Sequence, residues 1–281
     1  MKIAVTGATG QLGRLIVTRL REKIASDDIV ALARTPAKAD DLAVPVRQAD
    51  YGLASTLDAA LAGIDTLMMI SGSEVGQRVP QHRNLIEAAI KAGVRRVVYT
   101  SLLHADRSTL SLAPEHVETE GMLARSGLSV TVLRNGWYTE NYTASARDAV
   151  ARGMLMGSAG QGRIASATRA DFADAAVAVL LGQGHEGRVH ELAGDSAYTL
   201  SDLAAEISRQ SGREVQYRDL SPGDYTAALM AAGVPEPWPH VLPALDVEVG
   251  KGALFDDSRT LSRLISRRTT SLADAVAAAL E

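Results

Sequence analysis

The first residues able to do chemistry form a glycine-spaced run near the start of the chain. Thr6-Gly7-Ala8-Thr9-Gly10-Gln11-Leu12-Gly13 places its glycines as G-x-x-G-x-x-G. One glycine permits a tight turn, another lets backbone N–H groups approach a pyrophosphate, and the last lets a helix pack closely on the preceding strand. The N-terminus of that helix adds partial positive charge. Three glycines alone are a weak signal, because an ordinary strand-to-helix turn can look the same. Here they stand between the apolar run Ile3-Ala4-Val5 and an amphipathic stretch over 11–23, where a dinucleotide loop belongs.

The nucleotide is read at the end of the second strand. An NAD site usually places Asp or Glu there to accept bonds from the ribose 2′-OH. This chain has Ala33-Arg34, with Lys38 close behind and no adjacent carboxylate. A guanidinium can grip a 2′-phosphate bidentately, so NADPH is the expected cofactor. The alternative is a solvated Arg that merely opens a loop. Asp50, ending a third strand, is expected near the adenine edge. Ser71-Gly72-Ser73, ending a fourth, is expected at the crevice where open α/β sheets bind ligands.

Catalytic machinery is less plain. A Tyr-x-x-x-Lys pair, in which Lys lowers the pKa of a proton-donating Tyr, occurs nowhere in the chain. In the helix where it would fall, Leu112 and His116 take the two places. His116 could bond the nicotinamide ribose or act as an acid; it could equally be held by Glu115 or Glu120. His82, His104, His185, His190 and His240 show no metal-ligand spacing, and no metal site is expected. Asp27-Asp28 and Asp256-Asp257 read as solvated pairs. There is no G-x-S-x-G elbow, so hydrolase chemistry has no support.

The elements that must position these residues follow an alternating pattern. Strands are expected at 3–5, 29–33, 44–49, 66–70, 97–100 and 129–133, with helices at 11–23, 55–61, 81–92 and 115–125 between them. A short helical patch follows Pro36. Such alternation implies crossovers and a mostly parallel sheet, and the continuously apolar strands imply that both faces are covered. A helix at 169–181 and a strand at 189–192 extend the pattern; from Thr199 the chain reads as mainly helical. The expected architecture is a Rossmann-type doubly wound parallel sheet with a smaller, mainly helical C-terminal lobe. Residues 1–135 with about 164–194 would bind NADP, and about 136–163 with 195–281 would form the substrate lobe.

Composition sets the bounds. The 281 residues carry a net charge of -4 and no basic block, which argues against nucleic-acid binding. No cysteine is present, excluding disulfides, thiolate metal sites and a cysteine nucleophile. Met1-Lys2 runs directly into strand-like residues rather than a secretory signal, and the apolar runs are far shorter than a membrane span. A cytoplasmic protein without membrane insertion, monomeric or homodimeric, is expected. Aromatics make up only 4% of the chain, yet Trp137, Tyr138 and Tyr142 fall within six residues, just past the sixth strand. They could stack on a flat substrate beside the nicotinamide, or anchor sheet to lobe.

The glycine loop, Leu133-Arg134-Asn135-Gly136 and Glu140-Asn141 together resemble the NmrA-like branch of the atypical short-chain dehydrogenases. Ser73-Glu74-Val75-Gly76-Gln77-Arg78, Tyr99-Thr100-Ser101-Leu102-Leu103-His104-Ala105-Asp106, Ile164-Ala165-Ser166-Ala167-Thr168-Arg169-Ala170-Asp171 and Glu191-Leu192-Ala193-Gly194-Asp195 resemble the quinone-reducing members of that branch. The resemblance spans essentially the whole chain. It implies NADPH as cofactor and a quinone, or a similar flat small molecule, as acceptor, without flavin or metal. It also implies cofactor contacts from Gly7, Ala8, Thr9, Gly10, Gln11, Leu12, Gly13, Arg34, Ser71, Gly72, Ser73, Trp137, Tyr138, Thr139, Glu140, Asn141, Tyr142 and Arg169, beside Asp50. Members of the branch lack the Tyr and Lys as well.

The missing proton donor is chemically intelligible. Hydride transfer to a quinone leaves an aromatic hydroquinone anion with delocalised charge, whereas a ketone would leave a localised alkoxide. Positioning alone could then supply much of the catalysis. Asn135 and Tyr138 are expected to orient the quinone, with water or His116 completing protonation. A different reading is a non-catalytic NADP(H)-sensing regulator of the NmrA type; another is a reductase of other flat electrophiles such as triphenylmethane dyes. Epimerase or dehydratase activity is disfavoured, since it needs the Tyr and Lys.

Overall fold

Strand residues of one chain can feed two cores when successive side chains point to opposite sheet faces. β1 (Ile3–Val5) does this: Ile3 and Val5 enter one buried cluster, Ala4 another. β2 (Ile29–Ala33), β4 (Thr66–Met69), β5 (Arg96–Leu102) and β6 (Ser129–Asn135) divide their side chains the same way. β3 (Val46–Gln48) and β8 (Val189–Leu192) close the two edges, and their partly exposed side chains suit edge strands. In the computed structural model, which describes residues 1–281, these seven strands form one sheet in the order β3-β2-β1-β4-β5-β6-β8. Every pairing is parallel.

Helices cover both faces. α1 (Gln11–Arg21) and α7 (Arg169–Leu181) lie on one; α2 (Ala54–Leu61), α3 (Arg78–Lys91) and α4 (Ala113–Ala124) lie on the other. Leu12, Ile16, Val17 and Leu20 form the buried stripe of α1. Fully burying an aliphatic side chain of this kind stabilises by about 1.5–3 kcal/mol, so one such helix is worth more than its propensity. α7 starts from a capping box in which Thr168 and Asp171 satisfy each other's backbone N–H groups.

The remaining elements, all but α11, build the lobe. They are α5 (Glu140–Thr143), α6 (Ala146–Arg152), β7 (Met154–Gly157), α8 (Leu200–Ser211), β9 (Gln216–Asp219), α9 (Pro222–Ala231), α10 (Trp238–Gly250), α11 (Thr260–Ile265) and α12 (Leu272–Leu280). A third buried cluster holds Ala146, Leu155, Leu203, Ile207, Leu245 and Val276 together with Leu102 at the end of β5 and Leu110 beyond it. α11 returns to the sheet, where Leu261 joins the cluster beneath α1 and α7.

The seven-stranded parallel sheet and its helical cover are as the alternation predicts. Several details differ. β7 and β9 pair in parallel as a separate two-stranded sheet inside a region expected to be mainly helical. The patch after Pro36 is a 3-10 helix. α3 begins three residues earlier than expected, and β3 is a three-residue strand rather than six. Asp256 is not solvated: its carboxylate lies 3.3 Å from His104 Nε2, and both side chains are nearly buried. Arg134, at the end of β6, bonds Glu120, Glu191 and Asp106, tying α4, β6 and β8 together at the carboxyl edge.

Candidate active site

The strand order reverses between β1 and β4, and open α/β sheets bind ligands at that point, outside the carboxyl ends of the strands. Thr6 stitches the two strands together there. Its Oγ1 donates to Met68 O at 3.2 Å and accepts the Ile70 N–H at 2.8 Å. Two cavities open from this edge and share Ile70, Ser71, Gly72 and Ser73.

The smaller cavity, about 270 Å³, lies between the glycine loop and the ends of β2 and β3. Gly7, Thr9, Gly10, Arg34 and Asp50 line it, together with Thr6, Tyr51, Glu74 and Gln81, which the sequence reading passed over. Gly7 has φ +57, a left-handed turn that glycine adopts without cost. α1 has no side-chain cap and no acidic residue in its first turn, so its leading N–H groups remain available to an anion. A Cβ on Gly13 would lie 2.2 Å from the Gly7 carbonyl oxygen, so only glycine lets the helix sit this close. These features fit a dinucleotide phosphate.

Four expected contacts face elsewhere. Ala8 is fully buried, and its N–H bonds Leu32 O. Leu12 packs into the core and Gly13 against the loop; neither borders a cavity. Thr139 is buried with its Oγ1 on Ser166 Oγ at 2.8 Å, because its neighbours on either side take the cavity wall. Arg34, moreover, has a competing carboxylate. Glu74 reaches across from the loop after β4 to bond it at 2.7 Å, and Gln81 holds the other Glu74 oxygen at 2.7 Å. That partner stands 40 residues away in sequence, outside the local window the motif covers.

The larger cavity, about 840 Å³, runs between the sheet edge and the lobe. Gln11, Asn135, His116, Trp137, Tyr138, Glu140, Asn141, Tyr142 and Arg169 all line it. Asn135 is buried, and its Oδ1 accepts no bond within the protein. Tyr138 sits against the sheet core, edge-on to Phe172 at 5.4 Å, with the Arg169 guanidinium 4.4 Å from its ring centre. Arg169 also donates to Asn141 Oδ1 at 2.8 Å, while Glu140 accepts the Arg169 backbone N–H at 2.9 Å. Trp137 and Tyr142 pack on the lobe core instead. The aromatic segment therefore bridges sheet and lobe while also walling the cavity. α9 and α10 complete the wall with Tyr225, Trp238, Leu242 and Asp246, residues without a sequence signature.

A buried polar network fixes the loop shared by the two cavities. Arg78 is buried; its Nε donates to Gly72 O at 2.6 Å, and Glu115 accepts from its guanidinium. Thr119 Oγ1 donates to Glu115 O at 2.8 Å, so His82 Nδ1 must donate to Thr119 Oγ1. That leaves His82 Nε2 to accept the Gly72 N–H at 3.0 Å, which fixes a neutral tautomer. His116 is held by neither Glu115 nor Glu120. Its Nδ1 lies 2.8 Å from the hydroxyl of Tyr99, a fully buried β5 residue.

Burial, reinforced by the nearby Arg78 charge, lowers His82 to about 4 and His116 to about 3. His116 is thus neutral near pH 7 and holds no spare proton to donate as an imidazolium. Both shifts tie stability to pH. An unfolded histidine takes its proton near 6.5 while the folded pair refuses it, so stability falls as pH drops below 6.5. Each histidine costs about 2 kcal/mol by about pH 5. Asp246, raised to about 6 by burial, works in the opposite direction and returns about 1 kcal/mol over the same interval. Urea unfolding between pH 7 and pH 5 should show the net loss; unchanged stability would contradict the neutral network.

Fold and site together define a Rossmann-type dinucleotide-binding protein whose cofactor groove opens into a second, aromatic-walled cavity. A family model described as NAD(P)H-binding matches residues 7–182. The chain belongs to this family, in its NmrA-like branch. It is 56% identical to quinone oxidoreductase 2 of Escherichia coli over 277 residues, 98% of this chain and 97% of that one. The crystal structure of the Escherichia coli NADPH-dependent quinone oxidoreductase complexed with NADPH superposes with a TM-score of 0.96 at 55% identity, covering 99% of this chain and all of that one. The triphenylmethane reductase of Citrobacter sp., complexed with NADP(H), matches with a TM-score of 0.96 at 35% identity over 99% of this chain and all of the other. No group of three or more His, Asp or Glu side chains is gathered as a metal-ligand set, and no helix is long and apolar enough to cross a membrane.

Proposed function

We propose that this protein is an NADPH-dependent quinone reductase that performs two-electron reduction to the hydroquinone. The observation that carries the reading is the match to the Escherichia coli enzyme across 98% of the chain, which includes the lobe residues lining the large cavity. NADPH, when bound, supplies the hydride.

The residues divide the work by position. The Gly7–Gly13 loop and the start of α1 hold the pyrophosphate, and Arg34 takes the 2′-phosphate after exchanging its bond to Glu74. Asp50 borders the adenine. Ser71, Gly72 and Ser73 are held rigid by the Arg78–Glu115–His82 network, so they contact the cofactor with little reorganisation. Asn135 offers its unpartnered Oδ1 to the nicotinamide end. Tyr138 is clamped between Phe172 and Arg169 and presents a fixed face to the acceptor. His116, neutral and oriented by Tyr99, is a hydrogen-bonding rather than an acid group. In this division residues 1–135 with about 164–194 serve the dinucleotide, and about 136–163 with 195–281 serve the acceptor.

Steady-state NADPH oxidation with a simple benzoquinone tests the reading. Turnover well above the uncatalysed rate is expected. Tight NADPH binding without turnover would point instead to an NADP(H)-sensing regulator. Trp137→Ala and Tyr138→Ala should each weaken kcat/KM for quinone by about 10-fold, since an aromatic contact is worth about 0.5–1.5 kcal/mol beyond its burial. Unaltered kinetics in both variants would remove the aromatic wall from the acceptor site.

A further inference from the structure

One carboxyl group faces the large cavity without taking part in the cofactor site. Asp246, in α10, is 5% exposed and lines the cavity wall. Its Oδ2 accepts the Ser158 N–H at 2.8 Å, the one hydrogen bond the carboxyl group makes to the protein, so the group keeps bonding capacity unused at the cavity wall. Gly157 keeps that wall thin: a Cβ there would fall 3.0 Å from Asp246 Oδ2. Tyr142 lines the same cavity, and its buried hydroxyl has no partner either. Two polar groups with unused hydrogen-bonding capacity thus border one apolar chamber. Buried polar groups are almost always paired, so such a combination points to a ligand oxygen.

The groups facing Asp246 come from three elements: Tyr142 from α5, Tyr217 and Asp219 from β9, and Tyr225 from α9. The charged member of that set is a second carboxylate, which disfavours ionisation of Asp246. Burial raises the Asp246 carboxyl to about 6, opposed by the Ser158 N–H bond and helped by Asp219. Tyr142 is pushed well above the ordinary phenol range, chiefly by burial, and stays protonated. Neutral His116 cannot supply a proton by becoming neutral, because it already is.

We infer that Asp246 donates the proton that completes the reduced acceptor, with the Tyr142 hydroxyl positioning the acceptor oxygen. The inference rests on the quinone-reductase reading above. Reduction of a quinone takes two electrons and two hydrogens; the hydride accounts for both electrons and one hydrogen. For the second, the Asp246 O–H bond breaks as a new O–H bond forms on the anionic oxygen. The resulting carboxylate regains its proton from solvent. The transfer runs downhill, because a phenolic oxygen holds its proton up to about 10.

The test uses the full-length protein and Asp246→Asn, whose amide oxygen can still accept the Ser158 N–H. With benzoquinone as acceptor, wild-type kcat is expected to decline as pH rises through about 6. The variant should lose about 100-fold in kcat at the acid end, the low range for a positioned proton donor, and its profile should be flat. Infrared titration of the cofactor-free protein gives a second readout. The wild type should show a protonated carboxyl band titrating near 6, absent from the variant. A variant that keeps the wild-type rate, or loses rate while keeping the acid dependence, overturns the role of Asp246. So does a carboxyl band that titrates as an ordinary Asp. A wild type that reduces no quinone at all overturns the quinone reading itself, before any variant is made.

Discussion

Arg34→Asp is expected to lower NADPH affinity by about 100-fold or more and to bring NADH to parity or better. Each charge-assisted hydrogen bond is worth about 1.5–3 kcal/mol, and a guanidinium makes two to a phosphate. The substitution also acts through Glu74. In the wild type Glu74 is neutralised by Arg34 at 2.7 Å, a bond that the 2′-phosphate would replace in the proposed binding mode. In the variant two carboxylates would face the 2′-phosphate without a cation between them. The same carboxylates would accept a bond from the bare 2′-OH of NADH. Quenching of tryptophan fluorescence, titrated with each dinucleotide, gives both constants. A preference that does not move would show that Arg34 is only a solvated loop residue.

The second large effect is expected at Gly13. Gly13→Ala adds one methyl group, placed 2.2 Å from the Gly7 carbonyl oxygen and 2.8 Å from its carbon. No side chain can rotate to relieve that contact, since both atoms are backbone. α1 would have to lift from β1, yet Leu12, Ile16, Val17 and Leu20 anchor it in the sheet core. A cost of about 1–3 kcal/mol or more follows from overpacking. Displacing the helix also spoils the anion cradle, so NADPH affinity should fall by about 100-fold. Gly10→Ala is the control: its methyl would meet the same oxygen at 3.2 Å, a contact relieved by a few tenths of an ångström. Thermal unfolding with and without NADPH separates the two. A Gly13→Ala protein as stable as the Gly10→Ala protein would contradict this account.

What the sequence made legible was what depends on local spacing. The strand and helix alternation is visible because apolar runs and glycines recur at the right intervals. The glycine loop, Arg34 and the aromatic segment are visible because each is a short contiguous motif. The rest depends on convergence across the sheet edge. Glu74 meets Arg34 from another loop, Tyr99 meets His116 from a strand to a helix, and Asp246 reaches the cavity from α10. Thr139 shows the opposite failure. It lies within a motif whose neighbours face the cavity, but its own side chain points to Ser166. The β7–β9 pair was hidden because its four-residue strands fall too far apart in sequence to suggest each other.

The return of α11 to the sheet has a consequence for how the chain is made. β8, the last strand of the sheet, ends at Leu192, but Leu261 still has to enter the cluster beneath α1 and α7. During synthesis from the N-terminus, domains generally fold as units once their sequence has emerged. Here the core beneath α1 and α7 is not finished until α11, about 70 residues beyond the end of β8, has emerged as well. A nascent chain stalled after β8 would therefore expose the part of that core which Leu261, Leu264 and Ile265 later cover.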